Sequence, residues 1–360
     1  MRELKGRFVA EYDFQRCNVL LVEDNDYVRN TFEDMLRQFR FGRVATAANG
    51  EEAIDYLRTM GGATSSIDMV FSDLVMTPIN GLLLLRWIRA AKDSPNRMIP
   101  FFMISGAADE GFVNSARDLG VTEFVAKPFS VTSVYERILE VVDYPRQFIT
   151  TQQYFGPDRR RRKEPAPGSG ERREKSESDV VVVYSADKIV KPRTPSDVWY
   201  WKLPNSLKEK VAGGFGGGNV KGELPMNLIE QAEKELERAA LDFTNWALEY
   251  LAKLSDLCTQ ALMEPGRRAT QFDEIHTLAL ELRGQGGTFG YPLITTVGKM
   301  LYDATGEGCR EDDKAVEIAK CHIDSMRAII REKVGGDGGK IGQQLIKGLQ
   351  MSIEKVDTVN

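Results

Sequence analysis

MVFSDLVMTPING, residues 69–81, decides the fold. A short apolar run ends on the carboxylate Asp73, a proline-bearing loop follows, and a helix-period segment begins at Gly81. That is a buried strand feeding a helix. The same unit recurs on both sides. Strands are expected at 18–22 (NVLLV), 43–47 (RVATA), 69–72, 100–104 (PFFMI) and 122–125, with helices at 26–39, 50–60, 81–92, 109–119 and 131–142. Most of these strands are too uniformly apolar for one-sided exposure, as parallel strands covered on both faces are. The alternation implies an α/β fold, a doubly wound five-stranded parallel sheet. In such a sheet the ligand site lies beyond the carboxyl ends of the strands.

The whole chain has 360 residues, which suggests two or three domains. Apolar residues make up 42% and charged residues 28%, the balance of a soluble globular protein. No apolar run reaches the roughly 20 residues of a membrane span, and the N-terminus lacks the apolar core of a secretory signal. Cys17, Cys258, Cys309 and Cys321 show no zinc-ligand spacing and read as reduced thiols of a cytoplasmic protein. A net charge of −5 excludes a generally basic nucleic-acid binder. With only two histidines, His276 and His322, a histidine-rich metal site is excluded as well.

Chemistry is concentrated at the strand ends. Glu23 and Asp24 close the first strand and Asp73 the third. Three carboxylates at one sheet edge repel unless a cation lies among them. Hard oxygen ligands at an open edge suit Mg²⁺, which retains waters and takes phosphate as a co-ligand. Ser105 follows the fourth strand and offers a hydroxyl to an anion. Lys127 follows the fifth, next to Pro128, where a cis bond is expected. A metal, a lysine and a hydroxyl converging on one carboxylate stabilise a transferring phosphoryl group, with Asp73 as nucleophile.

LLVEDN, FSDLVMTPING, MISGA and FVAKPF together resemble the receiver domain of two-component response regulators, over residues 17–143. The resemblance implies a flavodoxin-like sheet and phosphorylation of Asp73 by a histidine-bound phosphoryl group, from a histidine kinase or a phosphotransfer protein. It implies that Glu23, Asp24, Asp73 and the Val75 carbonyl hold Mg²⁺, that Ser105 and Lys127 contact the phosphoryl oxygens, and that Phe124 is an aromatic switch. The family's usual proline after the methionine is shifted here, giving Met76-Thr77-Pro78, while Asn80-Gly81 keeps the loop-to-helix turn. Val75 and Ala107 flank the family's path of the hydrolytic water. Both are apolar, so slow self-dephosphorylation is expected.

The receiver is assigned to residues 1–145. Residues 146–179, rich in Pro, Gly, Ser and charge especially from 151 onward, read as a disordered charged linker. Its basic run from Arg159 to Lys163 is read as part of a solvated tether. Residues 180–225 form an extended, irregular connection with a flexible glycine loop at 213–218. From 226 to 360 the pattern is helical, an all-α bundle with helices from 226, at 270–284, 292–304, 312–334 and 342–356.

Within the bundle, LELRGQGGTFG at 280–290 resembles the histidine-phosphotransfer (HPt) module. Arg283 matches that module's lysine and Gly284 its docking glycine, but Leu280 stands where the phosphorylated histidine belongs. The resemblance therefore implies a pseudo-HPt domain in which Leu280, Arg283 and Gly284 dock a partner protein, with an exposed Leu280 as apolar contact. Two alternatives stay open: a working phosphorelay transferase using His276 or His322, and a regulator binding nucleic acid through the run 159–163. Homodimerisation is also open. No nucleotide-binding glycine motif, kinase, cyclase or phosphodiesterase signature is present, so no enzymatic output is expected beyond self-phosphorylation and Mg²⁺-dependent dephosphorylation.

Overall fold

A computed structural model describes residues 2–4, 7–60, 66–106, 110–159, 181–185, 190, 192–194, 197–213 and 220–358. Two compact units are distinguished: residues 1–232 without 126–130, and residues 233–360 together with 126–130. In chain order the elements are β1 (Arg2–Leu4), β2 (Arg7–Ala10), β3 (Asn18–Val22), α1 (Asp26–Gln38), β4 (Arg43–Ala47), α2 (Gly50–Met60), β5 (Met69–Asp73), α3 (Gly81–Ala90), β6 (Phe101–Ser105), α4 (Glu110–Leu119), β7 (Glu123–Ala126) and α5 (Val131–Asp143). They continue with β8 (Phe148–Thr150), β9 (Phe155–Pro157), β10 (Val181–Val183), β11 (Trp199–Trp201), α6 (Ser206–Val211), β12 (Val220–Gly222), α7 (Met226–Met263), α8 (Arg268–Gln285), α9 (Pro292–Ala304), α10 (Asp313–Arg331) and α11 (Gly339–Thr358).

The central sheet has the order β4-β3-β5-β6-β7. β3 pairs in parallel with β4 and β5, and β5 with β6, placing Val22 opposite Ser72 and Asp73 opposite Ile104. Every residue of β5 and β6 is buried, because helices cover both faces. On one face Phe71 stacks on Phe102 at 4.4 Å and packs against Phe32 of α1. The other face carries Leu20, Val22, Val70, Phe101 and Met103, packed with Leu84, Leu85 and Ile88 of α3. Pairing runs one residue further than the apolar pattern, so β5 includes Asp73 and β6 includes Ser105. The polar residues at the edge are thereby held by strand geometry.

Two expected boundaries are corrected. The linker expected at 146–179 contains β8 and β9, and its residues 160–179 lie outside the described residues. Aromatic side chains supply what the charged composition hid: Phe148 packs on Phe155 at 5.6 Å, and Arg97 stacks on Phe155 at 4.1 Å. These strands join β10 and β11, which fall within the connection expected over 180–225, in a four-stranded sheet of order β10-β11-β8-β9. The boundary at 145 also cuts a third sheet, in which β12 pairs in parallel with β2, over 200 residues earlier in the chain. The glycine stretch 214–218 lies outside the described residues.

The second unit is helical. Phe243 of α7 stacks on Phe289 and Tyr291 at 5.1 and 5.6 Å, and Arg327 of α10 donates to the Ser255 hydroxyl of α7 at 2.6 Å. On α9, Gly298 lies so close to α8 that an added Cβ would stand 2.9 Å from the Arg283 amide nitrogen. Among the described residues, no helix is long and apolar enough to cross a membrane.

Candidate functional site

The site is built at the carboxyl edge of the parallel sheet. Because Val22 is opposite Ser72, the next residues along, Glu23 and Asp73, fall side by side. The Glu23 amide donates to the Ala47 carbonyl at 3.1 Å, fixing the strand to its last residue. Asn25 then caps α1, its side chain accepting from the amides of Tyr27 and Val28. Arg29 in the first turns of that helix donates to the Glu23 carbonyl at 2.7 Å. Asn80 caps α3 in the same way, accepting from the Leu83 amide at 2.9 Å. Each carboxylate-bearing strand end is therefore followed by an asparagine cap, a device worth about 1 kcal/mol of helix stability. Both caps are legible in the sequence as Asn immediately before an amphipathic run.

Glu23, Asp24 and Asp73 each present a carboxylate oxygen, and these oxygens lie within 4.8 Å of one another. Glu23 and Asp73 are buried while Asp24 is exposed, so the cluster opens to solvent on one side. Three such oxygens repel strongly without a cation, and an all-oxygen donor set of this charge is the preference of Mg²⁺. The donor set therefore fits that ion. The Val75 amide donates to Asp73 Oδ2 at 3.2 Å, which orients the carboxylate. Gly81 returns toward the strand end: its amide donates to the Leu74 carbonyl at 3.1 Å, and a Cβ there would stand 2.2 Å from the Asp73 carbonyl oxygen. Only glycine allows that approach.

Ser105, buried, ends β6, one step beyond the residue paired with Asp73. Lys127, also buried, follows β7, and the Lys127–Pro128 bond is cis as expected; Thr77–Pro78 is cis too. Phe124 is half-buried against the core of the sheet, its amide donating to Glu123 Oε1 at 3.0 Å. Ala107 lies outside the described residues.

The helical unit departs from expectation at its docking trio. Leu280 is half-buried rather than exposed, and Gly284 is buried. Arg283 is half-buried with its guanidinium 5.3 Å over the ring of Tyr302, whose other neighbour is His276, stacked at 3.8 Å. Tight α8–α9 packing across Gly298 explains this inward engagement. His276 Nδ1 donates to the Tyr302 carbonyl at 3.0 Å, and burial holds its pKa below the ordinary histidine value. His322 is buried in α10, its Nδ1 bonded to the Ile318 carbonyl at 2.8 Å, and burial lowers its pKa as well. Of the basic run, Arg159 pairs with Asp118 at 2.8 Å, and residues 160–163 lie outside the described residues.

The five-stranded sheet thus carries an acidic cluster at the ends of its first and third strands. Residues 19–139 match the family described as "Response regulator receiver domain", and they form such a domain. Over 127 residues, 35% of this chain, the sequence is 36% identical to the sensor kinase CckA of Brucella abortus, covering 13% of that protein. Over 125 residues it is 29% identical to the probable transcriptional regulator ycf27 of Cyanidium caldarium, covering 46% of it. The chain thus spans less than half the length of either curated relative. Among solved structures, the receiver domain of a Pseudomonas aeruginosa sensor histidine kinase, with a magnesium ion coordinated in its active-site cleft, is 27% identical. It covers 34% of this chain and 94% of its own, with a TM-score of 0.30.

Proposed function

We propose that this protein is a cytoplasmic response regulator of a two-component or phosphorelay system, phosphorylated on Asp73. The carrying observation is the convergence of the Glu23, Asp24 and Asp73 oxygens within 4.8 Å. In this reading Glu23, Asp24, Asp73 and the Val75 carbonyl hold Mg²⁺, which when bound supplies positive charge against the phosphoryl oxygens. The Asp73 carboxylate oxygen forms a new P–O bond as the P–N bond of a phosphohistidine donor breaks, and the donor imidazole takes up a proton. The Val75 amide keeps the carboxylate turned for attack. Ser105 and Lys127 take the phosphoryl oxygens, and movement of Ser105 is read out by Phe124 as a population shift. The chemistry ends there, with self-phosphorylation and Mg²⁺-dependent dephosphorylation.

The helical unit is the output in this reading, a pseudo-HPt domain that carries the signal by binding a protein partner or a second copy of the chain. Leu280 at the histidine position supports the loss of phosphotransfer. A relay role for His276 has one observation in its favour: with Nδ1–H given to the Tyr302 carbonyl, Nε2 keeps its lone pair.

The test is intact mass after incubation with a small phosphodonor and Mg²⁺. A single phosphate adduct in the wild type and none in Asp73→Asn is expected. An adduct that persists in Asp73→Asn and disappears in His276→Gln moves the acceptor to the helical unit. Because Val75 cannot orient a water, the adduct should last minutes or longer, and a lifetime of seconds contradicts the assignment.

A further inference from the structure

Lys127 belongs to a short segment, Ala126–Ser130, that groups with residues 233–360 in the second compact unit. Inside that unit the segment lies against the turn between α8 and α9. The Phe129 amide, two residues past the lysine, donates to the Thr288 hydroxyl at 3.3 Å, a buried hydrogen bond across 159 residues of sequence. Gly287 comes close to the residue between them: a Cβ added to it would stand 2.8 Å from Pro128 Cγ. Lys127, Phe129 and Thr288 are all buried.

The turn that makes these contacts is itself braced. The Gly287 amide donates to the Thr295 hydroxyl of α9 at 2.8 Å, and the Tyr291 amide donates to the Gly286 carbonyl at 2.7 Å. Phe289, next to Thr288, stacks on Phe243 at 5.1 Å. Thr288 therefore offers its hydroxyl from a fixed point, and the hydrogen bond sets the direction of the 126–130 backbone. Lysine is a point charge on a flexible aliphatic stem, so the reach of its ammonium depends on where that backbone is held.

We propose that Thr288 is a positioning residue for phosphoryl transfer to Asp73, setting through Phe129 the backbone from which Lys127 meets the phosphoryl oxygens. The inference rests on the reading of Asp73 as acceptor and Lys127 as its phosphoryl contact. Transition-state charge is stabilised by groups already in place when transfer occurs. Misplacing such a group by about 1 Å can cost on the order of a hundredfold in rate. Thr288 exchanges no proton and touches no reacting atom in this role. Glu23, Asp24, Asp73 and Val75, the residues assigned to Mg²⁺, lie outside the segment, so metal binding does not depend on Thr288.

The experiment follows adduct formation by intact mass in the full chain, with acetyl phosphate and Mg²⁺. Thr288→Val, which keeps the shape and removes the hydroxyl, should slow the initial rate at least about fivefold, and Thr288→Ser should restore it. Gly287→Ala, which presses on Pro128 and leaves the hydroxyl, is a second variant and should slow the rate as well. In a Lys127→Gln background Thr288→Val should have no further effect, whereas a general structural role would lower the rate again. Mg²⁺ affinity by calorimetry should stay at the wild-type value in both Thr288 variants. With the adduct still abolished in Asp73→Asn, three results would each overturn the positioning role alone. These are wild-type rates in Thr288→Val and Gly287→Ala, no recovery in Thr288→Ser, or an undiminished effect of Thr288→Val in the Lys127→Gln background. An adduct that survives Asp73→Asn, or a wild type that takes up none, would instead overturn the acceptor assignment on which the role depends.

Discussion

The Tyr12 hydroxyl donates a 2.5 Å hydrogen bond to Asp143 Oδ1 across 131 residues of chain. The same carboxylate takes the Lys208 ammonium at 3.0 Å and the Gly222 amide at 3.0 Å. One buried side chain at the end of α5 therefore ties together the N-terminal segment, α6 and β12. Burial, with the adjoining carboxylate, raises the Tyr12 phenol well above its ordinary value, so it stays a donor at any working pH.

Removing Asp143 strands a nearly buried ammonium and a buried hydroxyl at once. Breaking a buried pair from one side costs about 3–5 kcal/mol, whereas Tyr12→Phe, which leaves the ion pair intact, costs about 1 kcal/mol. Urea unfolding should place Asp143→Ala well below Tyr12→Phe in stability. Equal small losses would mean that the N-terminal segment is not anchored through Asp143.

The acidic cluster predicts a thermal signature. Asp24 is exposed, so Asp24→Asn relieves repulsion without disturbing the core. In EDTA its Tm should match or exceed that of the wild type. With Mg²⁺ the order reverses, because a ligand stabilises by RT ln(1 + [L]/Kd), about 2.7 kcal/mol at a hundredfold excess over Kd. Differential scanning calorimetry in both conditions reads the effect, and an undiminished Mg²⁺ shift in the variant would remove Asp24 from the ligand set.

What the sequence disclosed follows from how local each determinant is. The parallel strands were legible because residues such as Val70, Phe71, Phe101 and Phe102 are buried whichever face they point to. The acidic cluster was legible because strand ends in a parallel sheet share one edge. β2 and β12 were not, since three-residue strands paired across 200 residues leave no local period. β8 and β9 were masked by neighbouring charge, their pairing stabilised by Phe148 and Phe155. Leu280 was expected exposed and is half-buried, because a motif assigns position along a helix and not depth in the bundle.

The two histidines predict acid sensitivity in the helical unit. Burial holds the His322 pKa below its ordinary value of 6.5, and that of His276 likewise. The unfolded chain therefore binds protons first as pH falls. The stabilising contribution is complete above about pH 6.5 and is lost as pH drops toward the depressed folded value. Hydrogen exchange in α10, corrected for its intrinsic pH dependence, should show weaker protection at pH 5.5 than at 7.5. His322→Gln should flatten that difference; an unchanged slope would place the sensitivity elsewhere.

Gly81 predicts how backbone packing supports the site. A methyl group there would meet the Asp73 carbonyl oxygen at 2.2 Å and the Met103 sulfur at 2.9 Å. The methionine can yield, but the carbonyl belongs to the strand end that carries the acidic side chain. Gly81→Ala should therefore cost about 1–3 kcal/mol as overpacking and displace Asp73, weakening Mg²⁺ binding at least tenfold by calorimetry. Gly348 in α11 is the contrasting case: nothing lies within 4 Å of its added Cβ. Gly348→Ala should stabilise its helix by up to about 1 kcal/mol and leave Mg²⁺ binding alone. If Gly81→Ala binds Mg²⁺ as well as the wild type, the turn at Asn80-Gly81 does not position the acidic cluster.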